Sequence, residues 1–474
     1  MLTATDLPPI IQGGMGVAVS SWPLASTVSR TGQLGVVSGV ALDLVLCRRL
    51  QDGDPGGHAR RALSHFPNQE MADRALKRFY REGGRAPGVP YSPIAHLTLK
   101  PNRATQELIV LGGFVEVWLA KEGHDGLIGI NCLEKIQMST PATLLGAMIA
   151  GIDVVLMGAG VPREIPRLLD ALAAEQPIAF PIDVEGADAG QFTLDIDSRD
   201  LVGPGLPPLT RPVFLAIVSA HVLAAFLARD EDIRPDGFVV EASPAGGHNA
   251  PPRRPVIDER GEMLFGPRDE PDLVKIAAVG LPFWLAGAAG TPAALRDALA
   301  MGANGVQVGT AFALSLDSGL NAEIRSELIE GVRDGSLHVR TDPLASPTGF
   351  PFKVAEIAGT LSDDAVYESR PRLCDLGFLR TPYLREGDDV GYRCAAEPEH
   401  MYVKKDGDIE NTVGRKCICN GLSATVNLGQ TRKDGYVEQP IVTLGADAEG
   451  PRLLMDAYPD GWTASQVVDW LLTA

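Results

Sequence analysis

Basic residues are scarce in this chain: 42 Lys and Arg stand against 60 Asp and Glu in 474 residues, for a formal net charge of −18. Affinity for nucleic acid or for an anionic membrane comes from basic surface, so neither partner is expected. Cysteine is also scarce, 6 in all, too few for a disulfide scaffold in a chain of this size. No apolar run reaches the roughly 18 residues that a spanning helix needs; the stretch 215–228 is interrupted by Ser219 and His221. Residues 1–9 carry no lysine or arginine ahead of an apolar segment, so a secretory leader is not expected and the default is a soluble, cytoplasmic protein. A homo-oligomer is left open.

What is abundant is glycine and proline, 52 and 36 residues, as in a turn-rich α/β enzyme. Short apolar, β-branched runs at 9–12, 34–37, 127–131, 153–157, 212–218, 237–241, 283–286 and 305–309 read as strands covered on both faces. Amphipathic stretches at 23–30, 140–150, 162–174, 221–229 and 292–301 read as helices between them. Repeated strand–helix alternation predicts a TIM (β/α)8 barrel; a doubly wound open sheet is the alternative. Length beyond one barrel falls in a helical insertion at 43–124, an excursion at 181–211 and a polar loop at 251–270, whose Arg253 and Arg254 either meet an anionic substrate or lie in solvent. From Asp342 the composition turns loop-like. The chain is therefore read as a barrel over 1–341 and a C-terminal extension over 342–474 that packs on it.

Barrel chemistry sits at the C-terminal ends of the strands, and there the glycines gather. Gly13-Gly14-Met15-Gly16 follows the first strand, Ala245-Gly246-Gly247-His248 the sixth, Gly287-Ala288-Ala289-Gly290 the seventh and Gly309-Thr310 the eighth. Backbone N–H groups from two adjacent loops and a helix N-terminus make a phosphate site without any lysine. A Rossmann dinucleotide site is disfavoured, because the third glycine of G-x-G-x-x-G after Gly158 and Gly160 would fall on Arg163. A mononucleotide phosphate suits the pattern better.

Three motifs carry a family resemblance: Pro9-Ile10-Ile11-Gln12-Gly13-Gly14-Met15-Gly16, Ala245-Gly246-Gly247-His248, and Gln307-Val308-Gly309-Thr310-Ala311-Phe312 after Ala300-Met301-Gly302-Ala303. In order and spacing over about residues 8–315 the chain resembles the nitronate monooxygenase (2-nitropropane dioxygenase) family, whose relatives include FMN-dependent enoyl-ACP reductases and the reductase component of polyunsaturated fatty acid synthases. The resemblance implies an FMN-bearing TIM barrel. It would lay Gly13, Gly14 and Met15 along the flavin ring and Asn131 at the flavin-contacting polar position. Gly246 and Gly247 would pass the ribityl chain, and Gly287, Gly309 and Thr310 would hold the phosphate. Gln307 belongs to the same cofactor-binding set. So does Glu241, which stands where many members have glutamine. Ala311 replaces a common arginine, so the phosphate charge would be met by backbone dipoles alone. His248 matches the histidine near the reactive face of the flavin, and a near-neutral pKa would suit it to proton transfer; the alternative is a histidine that only positions FMN. Lys135 either faces the pocket or is solvated.

Cys374, Cys394, Cys417 and Cys419 fall together in the extension with spacing C-x19-C-x22-C-x-C. Four thiolates are the ligand count of a [4Fe-4S] cluster or a structural zinc site, the former preferred here, and ordinary buried thiols are the alternative. Three functions follow. The first is oxidation of an alkyl nitronate with O2. The second is an FMN-dependent enoyl or polyketide-type reductase with an iron–sulfur centre in the extension. The third is a flavin-binding accessory protein of a biosynthetic complex. In the enzyme readings the partner is a small molecule, nitronate or acyl in type.

Overall fold

In the computed structural model, which describes residues 2–473, eight short strands form one parallel sheet. They are β1 (Ile10–Gln12), β2 (Gly35–Ser38), β3 (Ile128–Leu133), β4 (Val154–Gly158), β5 (Val213–Val218), β6 (Gly237–Glu241), β7 (Phe283–Ala286) and β8 (Gly305–Val308). Each pairs with its neighbour in chain order, and β1 also pairs with β8. The ring closes where Ile11 bridges Leu34: Gln12 N donates to Leu34 O at 2.9 Å and Leu34 N to Ile10 O at 3.1 Å. A closed ring excludes the open-sheet alternative and establishes the TIM barrel.

Side chains alternate along a strand, so every second residue points into the lumen. Ile11, Val36, Leu156, Leu215, Val239 and Trp284 fill it as a core separate from the one outside the sheet. Trp284 is fully buried, and its indole N–H donates to Pro8 O at 3.0 Å, tying the strand to the N-terminal segment that plugs the lumen. Two residues further along, the lumen positions are polar or small except for Ile217: Gly13, Ser38, Asn131, Gly158, Ile217, Glu241, Ala286 and Gln307, one at each strand end, floor a cavity at the C-terminal end of the barrel.

The wall helices include α1 (Trp22–Ser29), α2 (Leu42–Gln51), α3 (Arg103–Lys121), α4 (Thr140–Ile149), α5 (Ile165–Ala173), α6 (His221–Arg229) and α7 (Pro292–Ala300). Here the expected insertion at 43–124 is corrected in part. Both its ends are wall: α2 opens it and α3 closes it, buried almost all round between α2 and α4. Shorter helices, His58–Leu63 and Gln69–Phe79, fill the space between. Within 181–211 lies half of an antiparallel pair, Ile178–Pro181 with Thr193–Ile196. The 251–270 loop holds the short pair Val256–Ile257 and Met263–Leu264, and Arg253 and Arg254 are exposed.

Past β8 the chain makes the short helix α8 (Thr310–Ala313), leaves the barrel and returns. Leu316 N donates to Trp462 O at 2.8 Å, and Ala464 N to the Asp317 carboxylate at 2.6 Å, so departure and return are side by side. Between them the chain covers the cavity and includes α9 (Glu449–Ala457). The last helix, α10 (Ala464–Leu471), lies against α1 and α7 and seals the wall. The expected division at 341/342 falls within an antiparallel pair, Val339–Asp342 with Phe352–Ala355. The covering segment has its own buried ion pair: Arg370 Nε and Nη2 donate to the two Glu438 oxygens at 2.5 and 3.0 Å, with both side chains almost fully buried.

Candidate active site

The cavity above the barrel floor collects all the glycine clusters. Gln12, fully buried, braces the first one: its side chain donates to Ser20 Oγ at 2.8 Å and accepts from Val36 N at 2.9 Å, and Met15 N donates to the same Ser20 Oγ at 2.9 Å. This fixes Gly13–Gly16 over the lumen. Asn131 Nδ2 donates to Gly14 O at 2.9 Å, and a Cβ on Gly14 would lie 2.3 Å from Asn131 Cβ, so only glycine fits there. After β7, Gly287 at φ +80° and Ala288 at φ +58° turn the chain into α7. Thr291 caps that helix by accepting from Ala294 N at 3.1 Å.

Each of the expected cofactor-binding residues, Gly13, Gly14, Met15, Asn131, Glu241, Gly246, Gly247, Gly287, Gln307, Gly309 and Thr310, lines this cavity, as does His248. Two of them bear acceptors made for a ligand: Asn131 Oδ1 and Gln307 Oε1 are buried without a hydrogen-bond partner, and a buried polar atom left unpaired is costly. A flavin ring system offers N–H donors to such acceptors, and the flat glycine strip leaves room for its face. At the other end, loops 287–290 and 309–310 present backbone. No lysine or arginine lines the cavity among the described residues, so a phosphate there would be held by N–H groups alone. These residues fit FMN.

The covering segment supplies a roof that sequence reasoning did not assign to the site. Thr443 Oγ1 accepts from Gly247 N at 2.9 Å, Gly445 N donates to Thr310 Oγ1 at 3.1 Å, and Leu379, Ile418 and Leu444 close the apolar side. One carboxylate, Asp447, also faces the cavity and accepts from Glu449 N at 3.2 Å at the start of α9. No motif in the roof marks these residues, because they are ordinary loop residues brought there by the chain's return to the barrel.

A second cavity, about 600 Å³, opens beside the first. Its walls include Met157, Phe180, Leu223, Phe226 and Phe350, with Lys135 and Arg163 among its polar residues. Lys135 therefore faces a pocket, with Nζ 4.2 Å from the Phe350 ring centroid and 3.4 Å from Glu134. The two cavities share Ala159, Ile217, Glu241 and His248.

His248 departs from the expected near-neutral pKa. Burial, helped by the positive charge of Lys135, pushes it down to about 4, so the ring is neutral at pH 7. Its Nε2 shares a hydrogen bond of 2.7 Å with Ser346 Oγ, and its ring stands edge-on to Phe352. Glu241 moves the other way: burial pushes its carboxyl up to about 7.

The four extension cysteines come together around one small cavity, lined also by Leu379 and Ile418. All are free thiols. A hydrogen bond between Cys374 and Cys394 lowers the pKa of the first and raises that of the second, while burial raises those of Cys417 and Cys419. Cys417 Sγ accepts from Asn420 Nδ2 at 3.4 Å. Among the described residues no three Cys, His, Asp or Glu side chains form a ready ligand set for a single metal ion. Cys419, Ile418 and Leu379 line the thiol cavity and the glycine-lined cavity alike.

No family model and no curated protein matches the chain. Among solved structures it is similar to FabK from Thermotoga maritima, at 15% identity over 100% of this chain and 95% of that chain, with a TM-score of 0.45. It is also similar to nitroalkane oxidase from Streptomyces ansochromogenes, at 14% identity over 98% and 96% with a TM-score of 0.44. A third is the enoyl reductase domain of MlnA from the macrolactin biosynthesis cluster of Bacillus amyloliquefaciens, at 11% identity over 98% and 93% with a TM-score of 0.46. The barrel rests on this chain's own strand register. No helix among the described residues is long and apolar enough to cross a membrane.

Proposed function

We propose that this chain is an FMN-dependent oxidoreductase acting on an enoyl or related acyl substrate. The observation that carries the flavin part is the cavity itself, in which four glycine-rich strand ends meet the unpaired acceptors of Asn131 and Gln307. When bound, FMN supplies a ring that takes up or gives out an electron pair. Asn131 and Gln307 orient it, the loops at 287–290 and 309–310 hold its phosphate, and the roof excludes water. The second cavity supports the acyl reading. At about 600 Å³ it lies within the range of roughly 300–1,000 Å³ typical of ligand pockets, and an alkyl nitronate of a few heavy atoms would fill only a small part of it. Oxidation of a nitronate with O2 is the second reading, in which the neutral His248 at the cavity junction would help to position the substrate.

Cys374, Cys394, Cys417 and Cys419 lie behind a wall shared with the flavin cavity but form no ready ligand set among the described residues, so they do not by themselves fit an iron–sulfur centre. Anaerobic purification tests these points together. FMN released in equal amount to the chain is expected, with NAD(P)H-dependent loss of a crotonyl thioester. A preparation with no affinity for FMN sinks the flavin reading. Flavin absorption without iron or acid-labile sulfide agrees with free thiols there, and oxygen uptake with ethylnitronate in place of crotonyl reduction selects the nitronate reading.

A further inference from the structure

Glu241 is an acid without a partner at the place where two cavities meet. It ends β6, one of the eight inward positions of the floor, and it lines the flavin cavity and the second cavity alike. Every other carboxylate or histidine near the junction is engaged. Glu134 accepts from Gln137 Nε2 at 2.7 Å and lies 3.4 Å from Lys135. His248 is bound to Ser346. Asp183 accepts from Gln137 Nε2 at 2.9 Å. Glu241 has neither hydrogen bond nor ion pair among the described residues, and its neighbours on the floor, Ile217 and Ala286, offer none.

We infer that Glu241 is the proton carrier of this site: as the neutral acid it delivers a proton to the substrate carbon at the junction of the two cavities. The inference rests on the oxidoreductase reading above. In reduction of an α,β-unsaturated thioester, the O–H bond of the Glu241 carboxyl breaks and a C–H bond forms at the α carbon. The hydride equivalent that completes the saturation comes from a reduced nicotinamide. The carboxylate left behind takes its next proton from water. A buried carboxyl whose charged form is disfavoured by desolvation is protonated near neutral pH and is a competent donor there. The pKa of about 7 agrees with that role. His248, held neutral and tied to Ser346, then serves to position the substrate.

The test compares Glu241→Gln and Glu241→Asp with the wild-type holoenzyme, using a crotonyl thioester and NADPH. Glu241→Gln keeps a polar side chain of the same length on the cavity floor, so it is expected to retain FMN, as an FMN titration checks, and to lose kcat on the order of 100-fold, a usual contribution of general acid catalysis. The wild-type rate should fall as pH rises through about 7, and this limb should be absent from the residual activity of Glu241→Gln. Glu241→Asp, which keeps the acid, should restore part of kcat together with the limb. Thermal unfolding of FMN-free protein gives a readout apart from turnover. The folded-state pKa of about 7 lies above the ordinary 4.5, so the stability linked to the acid form is complete below 4.5 and lost as pH rises through 7. Glu241→Gln should therefore gain Tm relative to wild type at about pH 8 and not at about pH 4. Unchanged kcat and pH profile in Glu241→Gln overturn the inference while leaving the flavin reading intact. Failure of the wild type to bind FMN overturns both.

Discussion

A single methyl group separates two kinds of glycine around the cavity. At Gly14 it would run into Asn131 Cβ at 2.3 Å, whereas at Gly309 the only atom within 4 Å is Met15 Sδ at 3.7 Å and the backbone φ of −108° suits any residue. Gly309→Ala should therefore melt like the wild type yet lose FMN affinity, since its methyl occupies ligand space; fluorescence titration of FMN reads the loss. Gly14→Ala should lose both affinity and stability. An alanine at 309 that binds FMN normally would remove this loop from the phosphate site. At this scale the sequence was informative about backbone and less so about charge. Glycines and Asn131 were legible because their motif and strand position fix where they point. The protonation of Glu241 and His248 was not, because both pKa values are set by burial under a roof that no local pattern announces.

At the scale of elements, the strands were legible almost to the residue because parallel strands buried on both faces read as unbroken apolar runs. The helix α3 was hidden in the expected insertion by the proline-rich segment before it, although Gly112 and Gly113 in its middle allow the close packing on α2 and α4 that makes it part of the wall. The roof was read only through its cysteines. Its architecture depends instead on contacts distant in sequence, of which the Arg370–Glu438 pair is the most deeply buried. Removing Glu438 leaves the Arg370 guanidinium almost fully buried without its ion-pair partner. Glu438→Ala should cost about 3–5 kcal/mol, seen as a lower urea midpoint. A cost below about 1 kcal/mol, the usual worth of a surface pair, would show that the pair is solvated.

At the scale of the molecule, the barrel and its roof are connected through one doorway. Because Leu316 and Trp462 are hydrogen-bonded neighbours, the residues from 318 to 461 should be replaceable by a short glycine–serine linker, giving a barrel that still unfolds cooperatively but has no affinity for FMN. A chain ending at residue 463 should lose cooperative unfolding, because α10 no longer covers α1 and α7. Far-UV circular dichroism during heating distinguishes the two, and a wild-type transition in the shortened chain would show that α10 is dispensable.

The position of α10 also sets an order of events during synthesis. The ribosome releases the eighth strand long before the helix that seals the wall beside it, and every residue of the roof emerges in the interval. The nascent barrel thus waits with one flank open, and contacts of such wide sequence separation form slowly. Wall closure comes after the roof has been made, once α10 is free to pack against α1 and α7. A chain halted before α10 therefore has its barrel sheet complete and the wall beside α1 and α7 unsealed.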